Sequence, residues 1–202
     1  MASMNFKIIR SESLKTTKWS GGTTTEIYIY PENAIYSRRD FGFRISTAIV
    51  EDEQSTFTQL PGYKRHIMPL VGSMHLTHEN HHETTLKPFE KDFFHGDWVT
   101  KSRGKCTDFN LMLAKGFEGD ITPVKSGKAE KLSGVFASFY IIGNCSAELT
   151  TVSQTILESL GKGDFLAFSF AEKTSEEVYS LKLITETNND IIAIKTIVSK
   201  KQ

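Results

Sequence analysis

A few polar residues stand where the chain otherwise alternates as a buried strand would, and these are the residues that could grip a small molecule. From Phe41 to Val50 the odd positions are Phe41, Phe43, Ile45, Thr47 and Ile49, while the even ones include Arg44 and Ser46. A period of two sends the two sets to opposite sides of a strand. Asp108 to Ala114 repeats the arrangement, with Phe109, Leu111 and Leu113 on one side and Asp108, Asn110 and Met112 on the other. Arg65 and Glu26 stand in extended runs of their own. In an open sandwich these polar sides are ordinary solvated faces. In a closed barrel they face inward, and a buried charge must then be paired and hydrogen-bonded. Arg44 inside a barrel needs Asp108, Glu26 or an anionic ligand. A guanidinium fork can hold a carboxylate through two bonds. On the inward reading Arg44 and Arg65 hold the carboxylates of a small metabolite, Asn110, Ser46 and Thr24 complete its hydrogen bonds, and loss of Asp108 destabilises the empty protein by roughly 3–5 kcal/mol.

Other chemistries have thinner support. All six histidines, His66, His75, His78, His81, His82 and His95, fall in one short stretch. A metal needs donors that converge, and His75 and His78, three apart in a strand, point to opposite faces. His81 and His82 sit at a polar hairpin tip, which is most simply a solvated surface. His66, His95 and Asp97 remain as the metal alternative; no metal or other cofactor is otherwise implied. There is no G-x-S-x-G nucleophile elbow, and Cys106 and Cys145 lack the basic surroundings of an activated thiol apart from Lys105. The run Glu51-Asp52-Glu53 reads as a solvated loop. Gly21-Gly22-Thr23-Thr24 lacks the Lys-Ser/Thr of a phosphate loop and reads as a turn entering a strand. No catalytic residue is expected.

Composition narrows the field. The chain has 202 residues, with 24 Lys plus Arg against 24 Asp plus Glu. Such a chain buries on the order of 70% of its unfolded surface, so a sizeable core is available. With no net charge there is no broad positive field for phosphate backbones or anionic lipid, and nucleic acid is not an expected partner. Two cysteines make no disulfide framework and no C-x-x-C site. No apolar run approaches the ~20 residues that span a bilayer, and no signal-peptide core opens the chain, so a cytoplasmic protein away from membranes is expected. Met1-Ala2-Ser3 ahead of Met4 has the look of a cloning remnant.

The elements that would position these residues are nearly all strands. Phe6–Ile9, Thr23–Tyr30, Phe41–Val50, the stretch after the tight turn at Pro61-Gly62, Met74–His78, Thr84–Phe89, Phe93–His95 and Asp108–Ala114 read as extended in the first half. Glu51 to Leu60 should be an exposed loop. Gly116 to Lys131, rich in Gly, Lys, Ser and Pro, reads as a linker. Val135–Ile142, Ala147–Thr151, Thr155–Leu160, Asp164–Phe170, Val178–Thr185 and Ile191–Val198 follow as strands, with turns at Lys162-Gly163-Asp164 and Asn188-Asn189-Asp190. Helix should be under about a tenth of the chain, against a usual third. The expectation is an all-β protein of two modules, residues 1–120 and 121–202, with the final strand returning to brace the first.

A family resemblance rests on particular residues. Phe41-x-Phe43-Arg44-Ile45-Ser46-x-Ala48-x-Val50, then Phe57-x-x-Leu60-Pro61-Gly62-x-x-Arg65-x-Ile67, Phe94-x-Gly96-Asp97 and Asp108-Phe109-Asn110-Leu111-Met112 occur in this order. Together they resemble the HutD/Ves family across residues 17 to 125. Glu26-Ile27 matches the end of that family's N-terminal motif, although Trp19 to Glu26 is two residues shorter than its spacing. The resemblance implies a double cupin of RmlC-like jelly-roll barrels with interior cavities, usually encoded near histidine-degradation genes and with no reaction firmly attached. It tips Arg44, Ser46, Arg65, Asp108 and Asn110 inward. The implied function is non-catalytic binding of a small carboxylate metabolite, an intermediate of histidine breakdown such as formiminoglutamate, by a regulator or metabolite sink. The rival is a metal-dependent cupin enzyme using His66, His95 or the 75–82 cluster with Asp97, and a third reading is a bare interaction module. A homodimer stays open beside a monomer.

Overall fold

The computed structural model describes residues 4–151, 154–170, 179–186 and 190–201. Met1 to Ser3, the start of the strand expected at Val178, and Asn188-Asn189 lie outside the described residues. In chain order the first strands are β1 (Met4–Ile9), β2 (Lys15–Trp19), β3 (Gly22–Tyr30), β4 (Phe43–Val50), β5 (Gln54–Thr56) and β6 (Tyr63–Gly72). Then come β7 (Met74–His78), β8 (His82–Leu86), β9 (Asp92–His95), β10 (Thr100–Arg103) and β11 (Cys106–Ala114). The remainder are β12 (Phe117–Lys125), β13 (Ala129–Lys131), β14 (Phe136–Ile141), β15 (Cys145–Thr150), β16 (Thr155–Leu160), β17 (Phe165–Phe170), β18 (Ser180–Ile184) and β19 (Ile191–Lys200). Among the described residues there is no α-helix, only two 3-10 turns at Ser11–Ser13 and Tyr36–Arg38. Among the described residues no helix is long and apolar enough to cross a membrane.

The chain divides into two compact units, one of residues 14–117 and one of residues 1–13 with 118–201. The first unit pairs a six-stranded sheet, β2-β3-β4-β11-β6-β9, with a four-stranded one, β5-β10-β7-β8. Its core includes Val50, Ile67, Met74, Leu76, Leu86 and Phe94. The second unit repeats the scheme with β1-β17-β14-β19-β12 and β13-β18-β15-β16 around Phe139, Leu149, Phe168 and Leu181. Thus the module boundary falls at 117/118, and the crossing element is the first strand rather than the last: β1 pairs with β17, while β19 stays between β14 and β12 of its own unit.

Two departures from the sequence reading have one cause. The expected linker from Gly116 is largely strand β12, and Lys15–Trp19 is strand β2 although its Lys and Thr side chains gave no alternation. Both lie at sheet edges, where charge and even Pro123 are tolerated because one side of the ladder needs no partner. Polar composition there marks an edge, not a loop. The stretch after Glu51 is mostly exposed but contains β5, and Leu60 is buried at 1% exposure. The Pro61-Gly62 turn forms as read, with the Tyr63 N–H donating to the Leu60 carbonyl at 3.2 Å and Gly62 at φ 84°. The alternation in β4 fails at one end, where Ile49 is 50% exposed.

Candidate functional site

Antiparallel register decides which side chains meet. Residues directly opposite in neighbouring strands share a face, and across the six-stranded sheet this builds rows. Ile29, Arg44, Met112, Arg65 and Phe94 stand opposite one another from β3 through β4, β11 and β6 to β9. The next row is Glu26, Ser46, Asn110, Ile67 and Asp92, and the one after it Thr24, Ala48, Asp108 and Pro69. Bulges between Glu26 and Tyr28 and at Thr107/Asp108 keep the rows aligned despite an extra residue in β3 and in β6. Both faces of β4 are buried, with Phe43 and Ile45 on one side and Arg44 and Ser46 on the other.

The polar rows line a cavity of about 330 Å³ within the first unit. Thr24, Arg44, Ser46, Arg65, Asp108 and Asn110 all contribute to its wall, so the structure brings together six of the seven residues singled out from sequence. The seventh, Glu26, supports the wall: its Oε2 accepts from Arg44 Nε at 2.8 Å, and Arg44 Nη1 donates to Ser46 Oγ at 3.1 Å. Of the two carboxylates considered for Arg44, the partner is therefore Glu26. The guanidinium also stacks over the Tyr36 ring at 4.4 Å. Arg44 is 6% exposed and already engaged on several sides.

Arg65 is different. It is equally buried, at 6% exposure, yet its Nε has no hydrogen-bond partner among the described residues. Its guanidinium lies over Phe57 at 4.9 Å and Phe94 at 5.1 Å. Burial pulls its pKa down to about 10, partly offset by the field of Tyr36 and Asp108. Asp108, 4% exposed, is pushed by burial up to about 7, with Arg65 acting against the rise. Near neutrality Asp108 is thus poised between carboxylate and carboxylic acid. Among the described residues Asn110 Oδ1 is a further buried acceptor without a partner, and Trp19, also in the cavity wall, has a buried indole N–H without one. Buried polar atoms are almost always satisfied, so several orphans around one cavity point to groups that a ligand or water completes.

Trp19, Tyr36 and Phe57 were missed as wall residues. Only the aromatic type hinted at them, because each comes from an edge strand, a 3-10 turn or a loop without periodic signal. Burial pushes the Cys106 thiol up to about 12 and that of Cys145 to about 11, away from the thiolate form that a nucleophile needs.

The metal alternative of His66, His95 and Asp97 does not converge. His66 and His95 stand on the face of β6 and β9 opposite Arg65, each against the Phe93 ring, at 4.9 and 5.8 Å between ring centres. Asp97 is exposed in the following turn. His75 and His78 point apart as expected, with side chains 39% and 0% exposed. Among the described residues, the group with donor atoms within 4.8 Å of one another is His78, His82 and Asp92. The polar hairpin tip is more than a solvated surface, because His82 lies directly opposite His78 across the hairpin.

Two units, each a pair of facing antiparallel sheets in jelly-roll order and one of them enclosing a polar cavity, define a double cupin. Within that class the chain belongs to the HutD family, whose profile matches residues 11–183. Among solved structures it is similar to HutD from Pseudomonas fluorescens SBW25 (formate condition), with 20% identity, TM-score 0.73, and 98% of this chain and 100% of that chain covered. A conserved protein of unknown function from Pseudomonas aeruginosa PAO1 matches with 20% identity and TM-score 0.79, covering 97% and 100%. Bacillus subtilis oxalate decarboxylase matches at 5% identity and TM-score 0.64, covering 96% and 78%. At such identities the likeness speaks for the fold.

Proposed function

We propose that the cavity of the first unit binds a small carboxylate metabolite that also carries a cationic or N–H-bearing end, and holds it without chemical change. The observation that carries this reading is Arg65: a guanidinium buried in the cavity wall with its Nε unpartnered among the described residues. A ligand carboxylate would supply the two-bonded partner that the fork lacks. Asp108 and the orphan Asn110 Oδ1 lie in the same wall and are acceptors. A simple anion would meet repulsion from an ionised Asp108, whereas an amine or amidine would be drawn to it. Arg44, held by Glu26 and Ser46, contributes fixed positive field rather than a free fork. With the family resemblance, an intermediate of histidine breakdown such as formiminoglutamate is the first ligand to try, and the role is that of a regulator or sink in histidine utilisation. Catalysis by a metal in this cavity has less support, because its described lining contains no imidazole or thiol.

Thermal unfolding of untagged protein against a panel of amino- and amidino-carboxylates tests the reading. A bound ligand at 100 times its Kd adds ~2.7 kcal/mol, which for a chain of this length is a shift of roughly 5–10 °C. Arg65→Gln should abolish that shift. If no carboxylate stabilises the protein, or if Arg65→Gln responds like the wild type, the proposal fails.

A further inference from the structure

At the β8 and β9 edges of the first unit, next to the cavity but outside its lining, we infer that His78, His82 and Asp92 form a binding site for a divalent transition-metal ion. The side chains come from three strands. His78 ends β7, His82 begins β8 and Asp92 begins β9. His78 Nε2 lies 2.8 Å from Asp92 Oδ2, and His82 Nε2 lies 3.1 and 3.2 Å from the two Asp92 oxygens. All three donor atoms are therefore turned toward one point. Two imidazoles and a carboxylate are a donor set for borderline ions such as Zn²⁺ or Co²⁺, not for Ca²⁺ or Mg²⁺, which take oxygen.

The donors are built in. The His78 side chain is fully buried, and its Nδ1 is 2.8 Å from Thr100 Oγ1, a partner that fixes the ring and aims Nε2 at Asp92. Metal-bound histidines are usually oriented in this way through their second nitrogen. The rings of Phe94 and Trp98 stand 4.6 and 5.7 Å from the His78 ring and restrict its rotation. His82 is 39% exposed, which leaves one side of the site open to solvent and to a water completing the coordination. Tetrahedral Zn²⁺ with bonds of about 2.0–2.1 Å separates its donors by about 3.3 Å. The observed spacings of 2.8 to 3.2 Å are those of a hydrogen-bonded trio, so a metal enters by displacing protons and widening the gaps by a few tenths of an ångström.

The placement gives the ion a task. β8 is an edge strand of the four-stranded sheet and β9 an edge strand of the six-stranded sheet. An ion on these residues would tie the two sheets together at an end of the barrel where no backbone ladder joins β8 to β9. The site is thus a clasp, independent of whether the cavity takes a carboxylate.

Co²⁺ and Zn²⁺ titrations of untagged full-length protein test the site. Visible Co²⁺ ligand-field absorption should rise to a single equivalent, and Zn²⁺ should raise the melting temperature. His82→Ala and Asp92→Asn should abolish both responses, and Thr100→Val should weaken binding about 10- to 100-fold. His75→Ala and His95→Ala, which change exposed histidines outside the trio, should leave them intact. His82 is exposed enough that its variant should fold, and circular dichroism checks this. Absence of a Co²⁺ spectrum, or responses that survive His82→Ala, would overturn the assignment.

Discussion

Asp108 illustrates how a single side chain in this barrel can cost stability. Its carboxyl is buried, borders Arg65 only through space and has its pKa raised from 3.8 to about 7. Because the folded pKa is the higher, folding favours the protonated form. The residue's contribution is therefore most favourable below about pH 4 and is lost as pH rises toward 7. At 1.36 kcal/mol per unit, the fully developed penalty above pH 7 is on the order of a few kcal/mol. Asp108→Asn, close in shape but uncharged, should be more stable than wild type at pH 8 and about equal to it at pH 4.5, as measured by urea unfolding at both values. That outcome reverses the expectation that losing Asp108 weakens the empty protein. The reversal follows from Arg44 taking Glu26 as its partner, which leaves Asp108 without a direct ion pair among the described residues. A variant less stable at pH 8 than at pH 4.5 relative to wild type would refute this account.

At the scale of elements the cavity depends on β3 lying close against β4. Gly22 opens β3 at φ 151°, and a Cβ there would sit 1.9 Å from the Ile49 carbonyl oxygen. Backbone cannot swing aside as a side-chain tip can, so Gly22→Ala must push the strands apart. Gly116 has φ 93° but open space around its missing Cβ, and Ala there costs only conformational strain of about 1–3 kcal/mol. Gly22→Ala should lose at least about 3 kcal/mol and also blunt any ligand-induced stabilisation, because Thr24, Glu26 and Arg44 lose their register. Parallel melting curves of the two variants, with and without ligand, give the comparison. Equal losses in both would show that the β3–β4 approach is softer than the geometry implies.

At the scale of the whole molecule, the first residues belong to the unit formed mainly by the last. β1 pairs with β17 from Met4–Phe170 to Ile9–Phe165, and Phe6 stacks on Phe168 at 5.1 Å. The strand is latched at its end by Asp164, which accepts from Arg10 Nη1 at 2.7 Å and from the backbone N–H groups of Ser11 and Gly161 at 3.0 Å. Burial acts to raise this carboxyl, but the Gly161, Arg10 and Ser11 donors outweigh it and hold the pKa below the usual range. A depressed folded pKa adds stability above about pH 4 and loses it as pH falls through the folded value. Asp164→Ala should therefore cost about 1–3 kcal/mol at pH 7, and the deficit should shrink by pH 3, where the wild type protonates too. Denaturant titrations at the two pH values check this; a deficit that stays constant would mean that packing, not charge, holds the strand.

The chain by itself determined the all-β class, most of the strands and the two-faced nature of β4 and β11, because alternation along a strand is a local property that residue type records directly. It also marked Arg44, Ser46, Arg65, Asp108 and Asn110 as one polar set, and all of them meet in the cavity. Register, closure and partner choice were decided only by the tertiary structure. Whether Glu26 or Asp108 pairs with Arg44 depends on which row of β3 lies beside β4, and a bulge sets that. The edge strand β2 carries no buried face to write a period into the sequence, and in β12 the buried Ile121 and Val124 stand three apart among Thr, Pro and charged residues, which blurs the period. The trio of His78, His82 and Asp92 depends on a hairpin pairing and on the approach of two sheet edges, and neither leaves a spacing that can be read along the chain.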